Sequence, residues 1–486
     1  MRQASKRTNE LAVDRLVIVS NRLPIALTRV DMEQWQVQPS PGGLVTALAP
    51  LLGERGGLWV GWPGTSEKDD LDELLAAASR DLGYILEPVS LTKEEINQYY
   101  FGFSNEIIWP LFHDLQTRCN FAPTYWNAYQ AVNRKFAQVV AGKARKEDYI
   151  WVHDYQLMLV GKELRSMGME NKVGFFLHTP FPPLDMYIKL PWRMQILSAL
   201  LEYDVVGFQT RRDRNNFVYC IETMLKGLHV DARKQVSTVM TPKREIRIGS
   251  FPISIDFKDF ARQAASPVVV QATRQLREAI PNQQIVLGVD RLDYSKGIPE
   301  KLQAFRNALE RFNDLRGKIT LVQIVVPSRE DILQYQALKA EIEGLVGEIN
   351  GEFSQSEWIP VHYMFRSLER TELLAYYRAA DIALITSLKD GMNLVAKEYC
   401  AANVDKNGVE ILSEFAGAAI QLRGDALLVN PYDIEGVADA IYQSYGMHID
   451  ERRQRMQRLR KSVARRDVFW WVDSFLQAAF TRDLTT

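Results

Sequence analysis

What the chain lacks narrows it first. It holds three cysteines, Cys119, Cys220 and Cys400, too scattered and odd in number for a disulfide framework or a zinc site, which fits a reducing compartment. Neither sign of charge is in excess: a formal net charge of -1 gives no general pull toward nucleic acid or an acidic membrane surface. No uncharged apolar stretch approaches the roughly 20 residues that cross a bilayer. No apolar h-region follows the basic opening Met1–Glu10, so residues 1–14 are expected to be a loose tail on a cytoplasmic protein. Repeats and low-complexity linkers are absent. So are a Walker-type phosphate loop and the Gly-x-Ser-x-Gly elbow of hydrolases. No Gly-x-Gly-x-x-Gly follows a first strand, and Gly288 lies inside an apolar run, which counts against a dehydrogenase.

What is present is the composition of a globular protein, 47% hydrophobic and 24% charged, in 486 residues that suffice for two or three domains. The most informative stretch is Lys389-Asp390-Gly391-Met392-Asn393-Leu394-Val395-Ala396-Lys397-Glu398, which follows the apolar run Asp381–Thr386. It reads as strand, tight loop and helix. Unpartnered N–H groups and the helix dipole make Gly391, Met392, Asn393, Leu394 and Val395 a seat for phosphate. Asp390, a carboxylate at the mouth, suits sugar hydroxyls, and Glu398, about one turn further, suits a ribose. Taken alone, the stretch would also fit a buried α/β helix whose loop merely contains a turn glycine.

A second loop adds cations. Ile285–Val289 reads as a buried strand running into Asp290-Arg291-Leu292-Asp293-Tyr294-Ser295-Lys296-Gly297. In a parallel sheet both loops would lie at the carboxyl ends of their strands, where α/β proteins bind ligands. Arg291 as a fork and Lys296 as a compact charge would then meet a diphosphate from the other flank. Arg329, just past the strand Ile319–Val326, faces the same crevice by this rule.

The first half repeats the pattern. Leu16–Val19 ends in Ser20-Asn21-Arg22, and Pro41-Gly42-Gly43 opens an apolar helix from Leu44 to Leu52; Gly43 would let a ligand approach the backbone and Arg22 could bind an anion. Tyr149–Asp154 and Val173–His178 are strands ending in Asp154, a hydroxyl acceptor, and His178, held by the prolines that follow Thr179; His153 is read as a structural partner. Tyr100 and Trp109 could stack on a sugar ring. Asp70-Leu71-Asp72 has the spacing of a metal-binding triplet, but it sits in the acidic start of a helix and is rejected as a metal site. Strand and helix signals restart after Ile253, giving expected domains at 15–255 and 256–460, with 461–486 packing back as a C-terminal helix. Met456, Leu459 and Val463 under a basic face make 451–466 amphipathic. The fold class is α/β: two facing Rossmann-like domains, each lending loops to one crevice, as for transfer of a group between two bound molecules.

These motifs, with Trp151-Val152-His153-Asp154-Tyr155 and Phe176-Leu177-His178-Thr179-Pro180-Phe181-Pro182, match in order from about residue 15 to 480 and resemble the trehalose-6-phosphate synthases, retaining glycosyltransferases of family 20. The resemblance implies a GT-B fold with the active site in the cleft between the domains. It implies transfer of glucose from a nucleoside diphosphate, usually UDP, to glucose 6-phosphate, with no metal and no cofactor, in a cytoplasmic enzyme of trehalose biosynthesis and osmoprotection. Its partners would be the nucleotide sugar and the sugar phosphate, without nucleic acid or membrane; a homo-oligomer stays open. Gly42, Gly43, His178, Arg291, Lys296, Asp390 to Val395 and Glu398 fall on the donor side, with His178, Arg291, Lys296 and Asp390 catalytic. Arg22, Tyr100, Trp109, Asp154 and Arg329 fall on the acceptor side, the arginines near the phosphate. Two departures, Thr179 where some relatives have Ile and Leu368 where some have Phe, weaken acceptor identity more than reaction class. The rivals are a glucosylglycerol-phosphate synthase using ADP-glucose and glycerol 3-phosphate, and a catalytically silent sugar-phosphate sensor.

Overall fold

The computed structural model describes residues 15–29, 35–39, 43–66, 71–231, 236–242, 244–329 and 332–480. Gly42, the tail 1–14 and Asp70 of the rejected triplet lie outside them. The described chain divides into two compact units, one running to Ile253 and resuming at Phe469, the other spanning Ser254–Val468.

Unit 1 is built on one sheet. Its strands are β1 (Leu16–Arg22), β4 (Leu58–Trp62), β5 (Ile85–Pro88), β6 (Tyr149–His153), β7 (Val173–Leu177), β8 (Val205–Phe208), β9 (His229–Asp231), β10 (Val236–Met240) and β11 (Glu245–Ser250), while β2 (Ile25–Arg29) and β3 (Trp35–Pro39) form a separate hairpin. The order is β5-β4-β1-β6-β7-β8-β11-β10-β9, parallel up to β11 and antiparallel beyond it. The order reverses between β1 and β6, the doubly wound arrangement in which ligand loops gather at the strand ends flanking the reversal. β4, β6, β7 and β8 are buried throughout, which explains why they read as continuous apolar runs and not as alternating ones.

The chain returns to unit 1 through the helix Val468–Phe480. Phe475 stacks on Trp151 at 4.3 Å between centroids and 5° between planes. A Cβ at Gly207 would come 2.7 Å from the Phe475 ring and one at Gly174 3.0 Å from it, so these strand glycines leave the slot that the ring fills. The expected boundary at 461 falls too early. Residues 461–465 continue the helix Ile449–Arg465, whose Met456, Leu459 and Val463 are buried as the amphipathic pattern requires.

Unit 2 carries β12 (Gln284–Arg291), β13 (Ile319–Val326), β14 (Val361–Phe365), β15 (Ile382–Ile385), β16 (Val409–Ser413) and β17 (Leu427–Val429) in the order β14-β13-β12-β15-β16-β17, all parallel. This is again doubly wound, and the reversal falls between β12 and β15, the two strands whose loops were singled out from sequence. Under β12 the fully buried Lys301 ion-pairs with Asp290, which also accepts from Gln323 Nε2 at 3.1 Å.

Removing one partner of such a buried pair strands a charge. Lys301→Met is expected to cost unit 2 about 3–5 kcal/mol, and the double variant with Asp290→Asn to recover most of it. Urea unfolding followed by circular dichroism measures this; a single-variant cost below about 1 kcal/mol would contradict the pairing.

Candidate active site

In unit 2 the loops after β12 and β15 are tied together. The Ser295 carbonyl accepts the Leu388 N–H at 2.8 Å, and the Thr386 hydroxyl donates to the Gly297 carbonyl at 3.1 Å. Lys296 Nζ lies 2.5 Å from Asp390 Oδ2, with both side chains 13% exposed. Asp390 also accepts from Asn393 Nδ2 at 3.2 Å. Asn393 caps the helix Leu394–Ala402, its Oδ1 accepting the Ala396 N–H at 3.2 Å. The cap satisfies the third amide of that helix and leaves those of Leu394 and Val395 without an intrahelical acceptor, as any helix start must. Behind them Gly417 packs so closely that a Cβ there would overlap the Gly391 carbonyl, and its N–H holds the Asp390 carbonyl at 3.1 Å. Met392 is buried beside this joint, its carbonyl accepting the Ala418 N–H at 2.8 Å.

Cations cluster on the β12 side. Asp293 is buried, and burial alone would raise its pKa, yet Arg329, Arg291 and Lys296 together hold it below the ordinary carboxylate range. Arg329 places Nη1 3.3 Å from Asp293 Oδ2 and 2.5 Å from the Tyr335 hydroxyl. Its side chain is only 7% exposed, so this arginine stands at the base of the cationic cluster and not out in solvent. Glu398, one turn into the helix, accepts from the Tyr377 hydroxyl at 2.8 Å, and burial raises its pKa.

In unit 1 the site residues flank β1, β6 and β7. Asp154 follows β6 with φ 75 and ψ 168, a backbone region that glycine enters and other residues avoid. Its Oδ1 accepts the N–H groups of Tyr155 at 3.0 Å and His178 at 3.2 Å, which fixes the ends of β6 and β7 to each other. Gln209 Oε1 accepts the Ile253 N–H at 2.9 Å, so its amide nitrogen turns toward His178 Nδ1 at 3.4 Å. His178 Nδ1 is then an acceptor, and its Nε2–H donates to His153 Nδ1 at 3.2 Å. His153 Nε2 is left buried without a partner. Burial pushes His178 down to about 3, and burial followed by the neighbouring His178 holds His153 well below the usual imidazole range. Both rings are therefore neutral, and His178 offers polarity and shape, not charge. Trp471 of the C-terminal helix lies 6.1 Å from His178 and 6.4 Å from His153, centroid to centroid.

Arg22, at the end of β1, lays its guanidinium over Trp62 at 4.3 Å, and Trp62 meets Tyr100 edge-on at 5.6 Å. The Arg22 side chain counts as exposed as a whole, while its tip is tucked against these rings and burial lowers its pKa. Tyr100 belongs to a π-helix, Ile96–Ile108, that the sequence did not signal. Asn105 Nδ2 reaches back to the Tyr100 carbonyl at 2.6 Å, and Asn105 Oδ1 accepts from the Tyr155 hydroxyl at 3.0 Å. Trp109, next after the π-helix, is 7% exposed and packs 4.2 Å from His113, which leaves little open ring face. Gly43 begins the helix Gly43–Arg55.

The structure thus brings Arg291, Lys296, Arg329, Asp390–Val395 and Glu398 into one unit, and Arg22, Tyr100, Trp109, Asp154 and His178 into the other. Arg329, which the resemblance puts on the acceptor side with Arg22, bonds Asp293 and Tyr335 within unit 2. Gln209, Asp293 and Ser295 carry no signal of a site role in the sequence; Asn393 is expected there as part of the phosphate seat, and its capping role is signalled by a side-chain acceptor just before a helix.

Two doubly wound units, one holding a cation-and-amide seat at its sheet reversal, define the GT-B class of sugar-nucleotide transferases. The model of glycosyltransferase family 20 matches residues 14–480, and the chain belongs to that family. The trehalose-6-phosphate synthase of Mycobacterium leprae is 43% identical over 479 residues, covering 96% of each chain. Among solved structures, a UDP-forming α,α-trehalose-phosphate synthase from Burkholderia xenovorans in complex with glucose 6-phosphate superposes with a TM-score of 0.86 at 33% identity, over 96% of this chain and 99% of that one. The E. coli protein bound with UDP-2-fluoro glucose gives a TM-score of 0.86 at 34% identity over the same shares.

The neutral histidines set a pH dependence. An unfolded imidazole near 6.5 takes up a proton that the folded ring, at about 3, refuses, so stability is complete above about pH 6.5 and drains as pH falls toward 3. His178→Gln is expected to flatten part of that slope in urea unfolding measured from pH 7 to 4. An unchanged slope, or a His178 ring titrating near 6.5 by NMR, would contradict the assignment.

Proposed function

We propose that this chain moves glucose from UDP-glucose to glucose 6-phosphate with retention, forming α,α-trehalose 6-phosphate and UDP. The observation that carries the reading is the joint between the two loops of unit 2, where Asp390 bonds both Lys296 and Asn393, the cap of the helix Leu394–Ala402. A diphosphate there would draw Lys296 from Asp390, freeing the carboxylate for sugar hydroxyls. Arg291 and Lys296 then stabilise charge on the leaving diphosphate. The curated relative from M. leprae and the Burkholderia and E. coli structures support glucose 6-phosphate and a UDP-sugar as the substrate pair.

Roles follow from the surroundings. Unit 2 is taken to hold the nucleotide, with Glu398 on the ribose. Arg22 and Tyr100 are taken to receive the acceptor sugar phosphate, Tyr100 supplying a ring face for a hexose. Trp109 is the weaker choice, its ring being covered. His178, neutral, orients the transferred glucose. With no carboxylate among the described site residues assigned as a nucleophile, the acceptor hydroxyl attacks the anomeric carbon on the face the diphosphate leaves. The C–O bond to phosphate breaks, and a β-phosphate oxygen takes the hydroxyl proton. This scheme uses no metal or cofactor. We place the enzyme in the cytoplasm, where three free cysteines suit a reducing medium, with its product serving as precursor of an osmoprotectant.

The test offers purified protein UDP-, GDP- or ADP-glucose with glucose 6-phosphate or glycerol 3-phosphate, and reads product mass. Trehalose 6-phosphate from UDP-glucose is expected; reaction with the glycerol acceptor alone would replace the proposed product with glucosylglycerol phosphate. Arg291→Ala and Lys296→Ala should each lower kcat by about 100-fold, or ~3 kcal/mol, while folding normally. Full turnover in both would remove the mechanism, and no turnover in the parent chain would favour a silent sensor.

A further inference from the structure

Away from these loops, the last two turns of the helix Ile449–Arg465 border an open cavity of about 510 Å³ lined by Ile420, Gln421, Arg458, Lys461, Ser462, Arg465 and Arg466. We infer that this cavity binds a small phosphorylated anion carrying two or more negative charges, at a site separate from the seat at Leu394 and Val395.

The charge pattern is the first argument. Arg458, Lys461 and Arg465 recur at steps of three and four along one helix, which places like charges side by side and works against the helix unless something neutralises them. Of the other cations on this helix, all but the exposed Arg453 have partners of their own. Arg455 pairs with Glu451 at 2.8 Å, Arg452 Nε meets the Met447 carbonyl at 3.0 Å, and Arg460 donates to the Cys400 carbonyl at 2.7 Å. Of the cavity's cations, Arg458 pairs with the Asp425 carboxylate at 2.6 Å. The side chains of Lys461 and Arg465 make no ion pair or hydrogen bond among the described residues. Complementing the dipole at the helix C-terminus explains Arg465 and Arg466, but Arg458 and Lys461 stand too far back for that.

Size and position are the second. The volume falls within the range of about 300–1,000 Å³ typical of small-molecule sites and exceeds what one inorganic phosphate fills. Ser462 adds a hydroxyl, and arginine forks with a lysine are the groups that bind phosphoryl oxygens. The formal net charge of -1 gives the protein no general affinity for polyanions, so the attraction is local. Through Arg460 the same helix grips the end of Leu394–Ala402, which places the cavity behind the proposed donor helix.

The test titrates inorganic pyrophosphate into the full-length protein by calorimetry, with and without saturating UDP. It compares wild type with Lys461→Gln/Arg465→Gln and with a control that removes two other exposed cations of unit 2, Arg453→Gln/Arg274→Gln. Binding that persists under UDP, weakens about tenfold or more in the cavity variant and is unchanged in the control is expected. Circular dichroism confirms that the variants fold. Equal affinity in all three proteins, or binding abolished by UDP, would overturn the inference, the latter assigning pyrophosphate to the donor seat. Failure of wild type to bind pyrophosphate while phosphatidylglycerol vesicles capture it would overturn it in favour of a membrane surface. Because loss in the cavity variant is read with and without UDP, this result and the fate of the proposed transferase activity are independent.

Discussion

The Ser295 carbonyl, bonded to the Leu388 amide, joins two loops that the sheet order places side by side. At the reversal between β12 and β15 the helices that follow the two strands leave on opposite faces, so their loops diverge and open a crevice. A crevice of bare backbone would be mobile and wet. Here one carbonyl, one hydroxyl and the Lys296–Asp390 pair close it to a defined distance, and the tight packing of Gly417 under Gly391 fixes its floor. That joint holds Lys296 and Asp390 beside the capped start of the helix Leu394–Ala402.

Strain and neutral polar groups mark the same places. Among the described residues six non-glycine positions have positive φ, and three of them, Asp154, Arg329 and Asn393, lie in the loops discussed above. Such conformations cost about 1–3 kcal/mol each and persist where the surroundings over-determine them. Asp154 is held by two amides, Asn393 by its cap and its bond to Asp390, and Arg329 by Asp293 and Tyr335. In unit 1 the histidine pair is kept uncharged in an aromatic pocket closed by a helix from the far end of the chain. A neutral His178 can direct a sugar without competing with phosphate for position.

Much of this could be read from the sequence because parallel strands buried on both faces leave unmistakable apolar runs, each ending at its first polar residue. The strands at 16, 149, 173, 285, 319 and 382, with the loops after them, were placed this way, as was the amphipathic face of Met456, Leu459 and Val463. What escaped depends on partners distant in sequence. Gly174 and Gly207 look like weak points in strands until Phe475 fills the space above them. Gln209 acquires a role only because the Ile253 amide orients it. The π-helix at 96–108 has no local signature, and the strand-end rule that places Arg329 gives no sign of its partners Tyr335 and Asp293.

One diphosphate is expected to displace Asp390 from Lys296 and to take the amides of Leu394 and Val395. A crystal structure of the protein soaked with UDP tests it directly. Phosphate oxygens are expected about 2.8–3.1 Å from Lys296 Nζ and from those two backbone nitrogens, with the Lys296–Asp390 contact opened. A diphosphate bound elsewhere, with that ion pair intact, would contradict it.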